Sequence, residues 1–383
     1  MASVGTGRLR AAGAITLAVA MFANVGRTPT SAIPLFAQRY HLRCDVCHSV
    51  LPELNAFGNA FRDRGYRIAG LPIHGTTGLA VRYQLGYDRD PANGAPRFVP
   101  AGVLLSQANA GAISAFVHYN LGSQGGPSAL YLAFLSTYNA HTQALYRLGL
   151  YELPLLHSPA QRNDTLLSYG YEGTRAGLDN LLLAQPRLGL EAERRIGVTN
   201  IDASFAIGEY LGAAYGGRPI ATGEASGPAQ PELGLFARAP VGSGLLAGLD
   251  LIEGKRAITA GGRPTFDDSY NRTGAAIEAT RGGFDLLAEQ WWGHDANADG
   301  FGNAIFSSGG YVRFRFHPTP HAALGVRYDA AANPTLVRDY VLYAEALVTP
   351  HARLLLEEYH PLGGGKPDLM GALTIGFPWP PGY

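Results

Sequence analysis

The sequence is short of charge, of lysine and of cysteine, and each shortage excludes a class of protein. Only 16% of the 383 residues are charged, against roughly a quarter in typical soluble domains. The 30 basic and 30 acidic residues cancel, so no overall field attracts nucleic acid. Two cysteines are too few for a disulfide-stapled scaffold. After the N-terminus no apolar run reaches the roughly 18–20 residues that a membrane helix needs.

The residues that are abundant, 50 Gly and 20 Tyr, are typical of a chain rich in turns and strands. Two fold classes remain: a soluble all-β protein and a transmembrane outer-membrane β-barrel. Over residues 74–383, apolar and polar residues alternate repeatedly, as in Val312, Phe314 and Phe316 against Arg313 and Arg315. Barrel strands of about 9–11 residues alternate in this way between lipid and lumen. The pattern predicts about 16 antiparallel strands.

A soluble β-sandwich also alternates, but its outer face usually carries many lysines, which are nearly absent here. Trp291 and Trp292 are interpreted as part of the aromatic girdle at a membrane interface. Lumen charges such as Arg82, Glu191 and Asp202 are expected in any water-filled barrel and need no catalytic role. The barrel is therefore the preferred fold class.

Residues 1–32 are predicted to be a signal peptide. Arg8 and Arg10 precede an apolar run over residues 11–25, and Thr30, Ser31 and Ala32 provide small residues for cleavage. That order is typical of a secretory signal. The alternative is a membrane anchor, but the apolar run is short and the charges lie only ahead of it.

Both cysteines occur in one motif, Cys44-Asp45-Val46-Cys47-His48. C-x-x-C-H is the attachment motif for c-type haem, in which the thiols form thioethers and the histidine is the proximal iron ligand. The motif therefore predicts one covalent haem c held by Cys44, Cys47 and His48. A redox-active dithiol would give no reason for His48, and a zinc site would need further ligands from elsewhere.

Residues 33–73 are predicted to form a small monohaem cytochrome c module. Val50, Leu54, Phe57 and Phe61 follow the motif at helical spacing, so an apolar stripe could cover the haem. A helix packing on protein alone would show the same pattern. From Ile33 to about Gly70 there are fewer than forty residues, too few for an independent core without help, so another part of the chain must shelter this module.

The N-terminal region resembles the fused monohaem cytochrome–porins, a family that includes an outer-membrane iron(II) oxidase. The resemblance rests on residues 33–37, the C-x-x-C-H motif, residues 52–58 and residues 61–66. It implies a haem domain that plugs or adjoins a barrel and carries electrons across the outer membrane. It implies iron(II) as the leading donor without establishing it.

The second axial ligand of the haem iron, which tunes its potential, has several candidates. Met370 is the only methionine beyond the predicted leader, and the alternation places it in the lumen on the last strand. His118 also faces the lumen and is narrowly preferred, while His74 and His41 lie near the motif. An open or water-ligated iron is a further alternative.

Residues 295–300, with the sequence Asp-Ala-Asn-Ala-Asp-Gly, imitate the start of a calcium loop. The acid required at its twelfth position is Phe306, so the full pattern fails. This segment is interpreted as a solvated outer loop whose carboxylates could gather metal ions.

The sequence thus predicts an outer-membrane electron conduit. Electrons would pass from an extracellular donor, with iron(II) leading, to a periplasmic cytochrome or copper protein, as an iron(II):cytochrome c oxidoreductase would do. The haem module would be periplasmic or inside the barrel lumen. One alternative is a transport porin whose haem module is a gate or a structural plug, and another is a haem enzyme such as a peroxidase.

Overall fold

The computed structural model describes most of the chain. The described residues are 35–36, 40, 42, 44–50, 53–68, 78–89, 94–123, 129–155, 165–166, 169, 171, 176–178, 183, 186–209, 224–226, 230–260, 265–319, 321–333, 335–349 and 352–379. The predicted signal peptide, His41 and His74 lie outside them.

Two short helices and a two-stranded sheet precede the main fold. They are α1 (Cys44–Cys47), β1 (His48–Val50), β2 (Glu53–Leu54) and α2 (Ala56–Asp63). Asn55 caps α2, since its side-chain oxygen accepts a hydrogen bond of 2.9 Å from the Gly58 amide, which satisfies one free donor of the first turn. Neither helix, nor any other in the described part of the chain, is long and apolar enough to cross a membrane.

Sixteen antiparallel strands close into a barrel, which confirms the predicted fold class. Each strand pairs with its neighbour along the chain, and β19 pairs with β3 to close the ring. The short strand β10 (Glu224–Ser226) pairs with the end of β12 beside the ring. The barrel strands are β3 Gly78–Arg89, β4 Pro96–Ala110, β5 Ile113–Ser123, β6 Ala129–Asn139, β7 Ala144–Tyr151, β8 Arg187–Ile196, β9 Thr199–Glu209, β11 Glu232–Gly242, β12 Leu245–Ala260, β13 Phe266–Arg281, β14 Phe284–Asp295, β15 Ile305–Thr319, β16 Ala322–Asn333, β17 Thr335–Thr349, β18 Ala352–Pro361 and β19 Asp368–Trp379.

Side chains alternate between the outside and the lumen because successive residues of a strand point to opposite faces. On β15, Val312 and Phe314 are exposed on the outside, whereas Arg313 and Arg315 are buried inside. The same rule corrects the girdle prediction for one tryptophan. Trp292 is 49% exposed on the outside, but Trp291 is 1% exposed and packs inside against Tyr171.

The two ends of the barrel differ in their connections. At one end, adjacent strands are joined by two-residue turns at 111–112, 197–198, 243–244 and 282–283. Gly282 and Gly283 both have positive φ, which a two-residue hairpin requires and glycine adopts without strain. The first strand begins and the last strand ends at this short-turn end.

The long connection between β7 and β8 folds into the lumen. Its Tyr169 ring stacks on Tyr311 of β15 with centroids 3.8 Å apart. The Leu166 amide donates to Glu357 of β18 at 2.6 Å. These contacts reach the far wall, so the connection narrows the lumen above the short-turn end.

Candidate functional site

Residues 44–50 and 53–68, here called the N-terminal segment, cross the lumen near the short-turn end. On one side, the Tyr66 ring stacks on Phe116 of β5 with centroids 5.6 Å apart. On the other side, Glu53 binds Arg313 and Arg315 of β15. Eight strands separate β5 from β15 in one direction around the ring and six in the other. The segment is therefore fixed to nearly opposite walls.

The C-x-x-C-H motif lies on a single turn of helix followed at once by a strand. Helix α1 spans the two cysteines, and His48 begins β1. The His48 Nδ1 atom is 3.1 Å from the Glu53 backbone oxygen. Gly58 of α2 packs directly beneath the motif, because an added Cβ would overlap the Cys47 carbonyl oxygen.

This arrangement fits a c-type haem. A histidine that binds a metal usually uses its other ring nitrogen to donate to a carbonyl, which fixes the orientation of the ring. The Nδ1 contact of His48 is of that kind and would leave Nε2 to bind the iron of a haem. One helical turn between the cysteines is the spacing that two thioethers at one porphyrin edge require.

The alternative chemistries of the motif fit less well. Burial raises the pKa of the Cys47 thiol, whereas a reactive dithiol needs a lowered pKa. Among the described residues, no group of three or more potential metal ligands includes Cys47 or His48, and a zinc site usually has four ligands.

Glu53 anchors the motif to the barrel wall. Its carboxylate accepts hydrogen bonds from Arg313 at 2.8 and 3.2 Å and from Arg315 at 2.6 and 3.0 Å. Both arginines have no exposed surface and Glu53 is 3% exposed. Arg315 also binds Asp285, which lies 2.6 Å from His317. Paired two-bond contacts of this kind are the strongest charge-assisted hydrogen bonds.

The anchoring role of Glu53 was not predicted from the sequence, although two signals were present. Glu53 is the only acidic or basic residue between His48 and Phe61. Arg313 and Arg315 are two inward-facing arginines in succession on one strand. The sequence carries no sign that these residues, 260 positions apart, meet.

A second anchor lies at the end of α2. Asp63 accepts a hydrogen bond from Asn200 of β9 at 3.1 Å and pairs with Arg62 at 3.1 Å. Burial alone would raise the pKa of Asp63, but the guanidiniums of Arg62, Arg238 and Arg147 outweigh it and lower that pKa. Asp63 is therefore held as a carboxylate between the segment and the wall.

The candidate second ligands of the iron lie at different depths in the barrel. His118 is buried on β5, two residues further into the lumen than Phe116, with its Nε2 atom 3.1 Å from Asn120 and its ring against Tyr131. Met370 is buried on β19, near the end with the long connections. The position of His118 is the nearer of the two to the segment, and its role stays a prediction.

The calcium-like loop is held together by its own hydrogen bonds. Asp295 turns inward and binds Arg272 at 2.9 Å. Asp299 accepts from the Phe301 amide at 2.8 Å, and this bond lowers the pKa of Asp299. The two carboxylates therefore serve different partners. The loop is only partly solvated, because Asp295 and Ala298 have no exposed surface.

Comparison with known proteins relates the barrel to porins. No family model and no curated protein sequence matches the chain. Among solved structures, the anion-selective porin from Comamonas acidovorans has a TM-score of 0.55 and 13% identity, covering 80% of this chain and 99% of the porin. The outer membrane channel DcaP of Acinetobacter baumannii gives 0.55 and 11%, covering 79% and 96%. Salmonella typhi OmpF, solved with daunomycin, gives 0.55 and 8%, covering 79% and 98%.

Likeness at such low identity establishes the fold and leaves the function open. The chain has the 16-stranded antiparallel barrel of outer-membrane porins. The barrel part of the family resemblance is confirmed at that level. Its cytochrome part stays a prediction, as do the boundaries 33–73 and 74–383.

Proposed function

We propose that the protein lies in the bacterial outer membrane and conducts electrons between an extracellular donor and a periplasmic carrier. This proposal rests mainly on Glu53, which contacts its surroundings in two ways. Its backbone oxygen orients His48, and its carboxylate fixes the same turn to two buried arginines. Glu53 thus fixes both the orientation of the His48 ring and the position of the turn that carries it. A cofactor bound to this turn would keep a constant position and a constant redox potential.

Cys44 and Cys47 would hold the haem c covalently, and His48 would be its proximal ligand. The bound group would supply one-electron redox chemistry, while the chain sets its potential through ligation and burial. Arg313 and Arg315 hold the turn in place. The connection between β7 and β8 limits access from above.

The position of the segment favours a small donor. In outer-membrane barrels the short turns face the periplasm and the longer loops face outward. The N-terminal segment would then lie at the periplasmic end, accessible to a cytochrome or copper protein. An extracellular donor must enter the lumen, as a metal ion can, and iron(II) is the donor that the family resemblance suggests.

The second candidate is a transport porin in which the segment is a gate or a structural plug. The comparisons favour this candidate, because the solved structures with the same fold are described as porins and channels. It accounts for the barrel and for the segment across its lumen. It gives no reason for the C-x-x-C-H turn or for the orientation of His48.

A paired liposome assay separates the two candidates. The purified protein is inserted into vesicles that enclose an electron acceptor, and ionic conductance is measured on the same preparation. A conduit reduces the acceptor when iron(II) is added outside and loses this activity in His48→Ala without gaining conductance. Stable open-pore currents without reduction of the acceptor would contradict the conduit and support the porin.

A further inference from the structure

Three acidic side chains on the β8–β9 wall lie together in the lumen. Glu191 and Glu193 project from β8 and Asp202 projects from β9. One carboxylate oxygen of each lies within 4.8 Å of those of the other two. The residues are only 2%, 4% and 0% exposed. Buried carboxylates so close together repel one another unless a positive charge stands between them.

The neighbouring strands supply some of that charge. Arg147 of β7 binds Glu191 through Oε1. Arg238 of β11 binds Asp202 Oδ2 at 2.8 Å and lies 4.0 Å from Glu193 Oε1. The second oxygen of each carboxylate, Glu191 Oε2, Glu193 Oε2 and Asp202 Oδ1, is buried and has no hydrogen-bond partner among the residues that the structure describes. A buried polar atom without a partner is costly and needs an explanation such as an ion.

The charge count of this wall is also unbalanced. Asp63 of the N-terminal segment interacts electrostatically with Glu193, so four carboxylates face three guanidiniums, those of Arg62, Arg147 and Arg238. Glu193 and Asp202 are directly opposite in the strand register, where like charges destabilise a sheet. The wall is therefore one positive charge short of neutrality.

We propose that Glu191, Glu193 and Asp202 bind one divalent cation. Carboxylate oxygens are the ligands of Mg²⁺, Ca²⁺ and Mn²⁺. Two oxygens bound to the same ion can be no farther apart than twice the bond length, about 4.6–5.2 Å for Ca²⁺. The three oxygens lie within 4.8 Å of one another, which falls inside that range for Ca²⁺. One oxygen of each carboxylate would be a ligand of the ion, and Ser204, buried on the same face opposite Glu191, adds a hydroxyl nearby.

The cation site adjoins the N-terminal segment but does not depend on haem. Asn200, two residues before Asp202 on the same face, donates to Asp63 at the end of α2. The site therefore lies beside the second anchor of the segment. It is made entirely of side chains from the barrel wall, so it is open to test whatever the segment carries.

The direct test is a titration of Mn²⁺ into the purified full-length protein after treatment with chelator, followed by the electron paramagnetic resonance signal of free Mn²⁺. The wild type is expected to take up Mn²⁺ at a single saturable site. Glu193→Gln and Asp202→Asn should each weaken that uptake at least about tenfold, because ligand charge sets affinity. Glutamine keeps the size of Glu193, and the gel mobility of the unheated barrel reports folding.

The control is Asp299→Asn, which removes a carboxylate from the calcium-like outer loop and should leave uptake unchanged. Uptake that is lost in Asp299→Asn and kept in Glu193→Gln would overturn the proposal. Unaltered uptake in both lumen variants would overturn it as well. A proton shared by Glu193 and Asp202 would neutralise the wall without a cation, and the absence of saturable uptake by the wild type would establish that contrary result.

Discussion

The two lumen walls that hold the N-terminal segment differ in how their charges are matched. On the β14–β15 side, the carboxylates of Glu53 and Asp285 meet the guanidiniums of Arg313 and Arg315. On the β8–β9 side, three wall carboxylates and Asp63 meet three guanidiniums. Within the described part of the chain, three oxygens of these wall carboxylates have no hydrogen-bond partner. Both walls are buried and both contact the segment, yet only in the β14–β15 group named above are carboxylates and guanidiniums equal in number.

This difference in charge balance suits one wall to anchoring the segment and the other to binding an ion. A buried ion pair with good geometry is costly to break and so fixes the position of whatever carries it. A buried group with excess negative charge gains free energy when a cation arrives. The β14–β15 wall, here called the matched wall, is thus suited to hold the C-x-x-C-H turn. The β8–β9 wall, here called the unmatched wall, is suited to hold an ion.

The largest effect is expected from breaking the matched wall. Arg315→Met removes two of the four hydrogen bonds that Glu53 accepts from the arginines and leaves Asp285 with its contact to His317. Loss of one member of a buried pair costs about 3–5 kcal/mol. The segment should leave the wall and become sensitive to protease in detergent-solubilised protein. Arg194→Met, at an exposed site on β8, is the matched control. Equal protease resistance in Arg315→Met and the wild type would contradict the anchor.

The same substitution on the two walls should shift stability in opposite directions. Glu53→Gln leaves two buried guanidiniums short of charge and should destabilise the protein by about 3 kcal/mol. Glu193→Gln relieves repulsion with Asp202 and should stabilise the chelator-treated protein by roughly 1 kcal/mol. Urea unfolding of both variants in chelator measures the shifts. If the free energy of unfolding shifted in the same direction in both variants, the proposed difference between the two walls would be wrong.

Packing beneath the motif gives an intermediate effect. Gly58→Ala places a Cβ against the Cys47 carbonyl oxygen and 3.0 Å from the Leu54 side chain. Because the backbone cannot move away without strain, we expect the free energy of unfolding to fall by about 1–3 kcal/mol. We also expect the segment to be attached more loosely. Gly363→Ala, where nothing lies within 4 Å, is the control. Wild-type unfolding and protease resistance in Gly58→Ala would show that this contact is unimportant.

The smallest effect concerns pH. The folded pKa of Asp63 is lowered below the ordinary value of about 3.9. Its contribution to stability is therefore complete above that value and is lost as the pH falls through the folded pKa. Protease resistance of the segment should decline in this acid range. Asp63→Asn should flatten the decline, and an unchanged acid profile in that variant would exclude Asp63 as its source.

The sequence could predict the barrel because strand alternation is a local property. The inward direction of Arg313 and Arg315 follows from a period of two, as does the placement of Glu191 and Asp202 in the lumen. The error at Trp291 came from treating two adjacent tryptophans as one feature, although neighbours on a strand face opposite sides.

What the sequence could not predict depends on register and distance. Glu53 meets arginines 260 positions away, and no local pattern specifies that contact. Arg147 and Arg238, from the flanking strands, bind some of the carboxylate oxygens and leave one oxygen of Glu193 and one of Asp202 without a partner in the described ranges. This selection depends on the strand register, which the sequence does not specify. The C-x-x-C-H motif could be recognised from the sequence because its functional residues lie within five consecutive positions.

The central claim is that the turn of Cys44, Cys47 and His48 holds a covalent haem at the short-turn end of the barrel. The most direct measurement is haem staining of the denatured chain on a gel, after expression in cells competent in cytochrome maturation. The account predicts a stained band for the wild type and for His48→Ala, whose thioethers remain, and no stain for a variant with both Cys44→Ala and Cys47→Ala. A wild-type band without haem would contradict it.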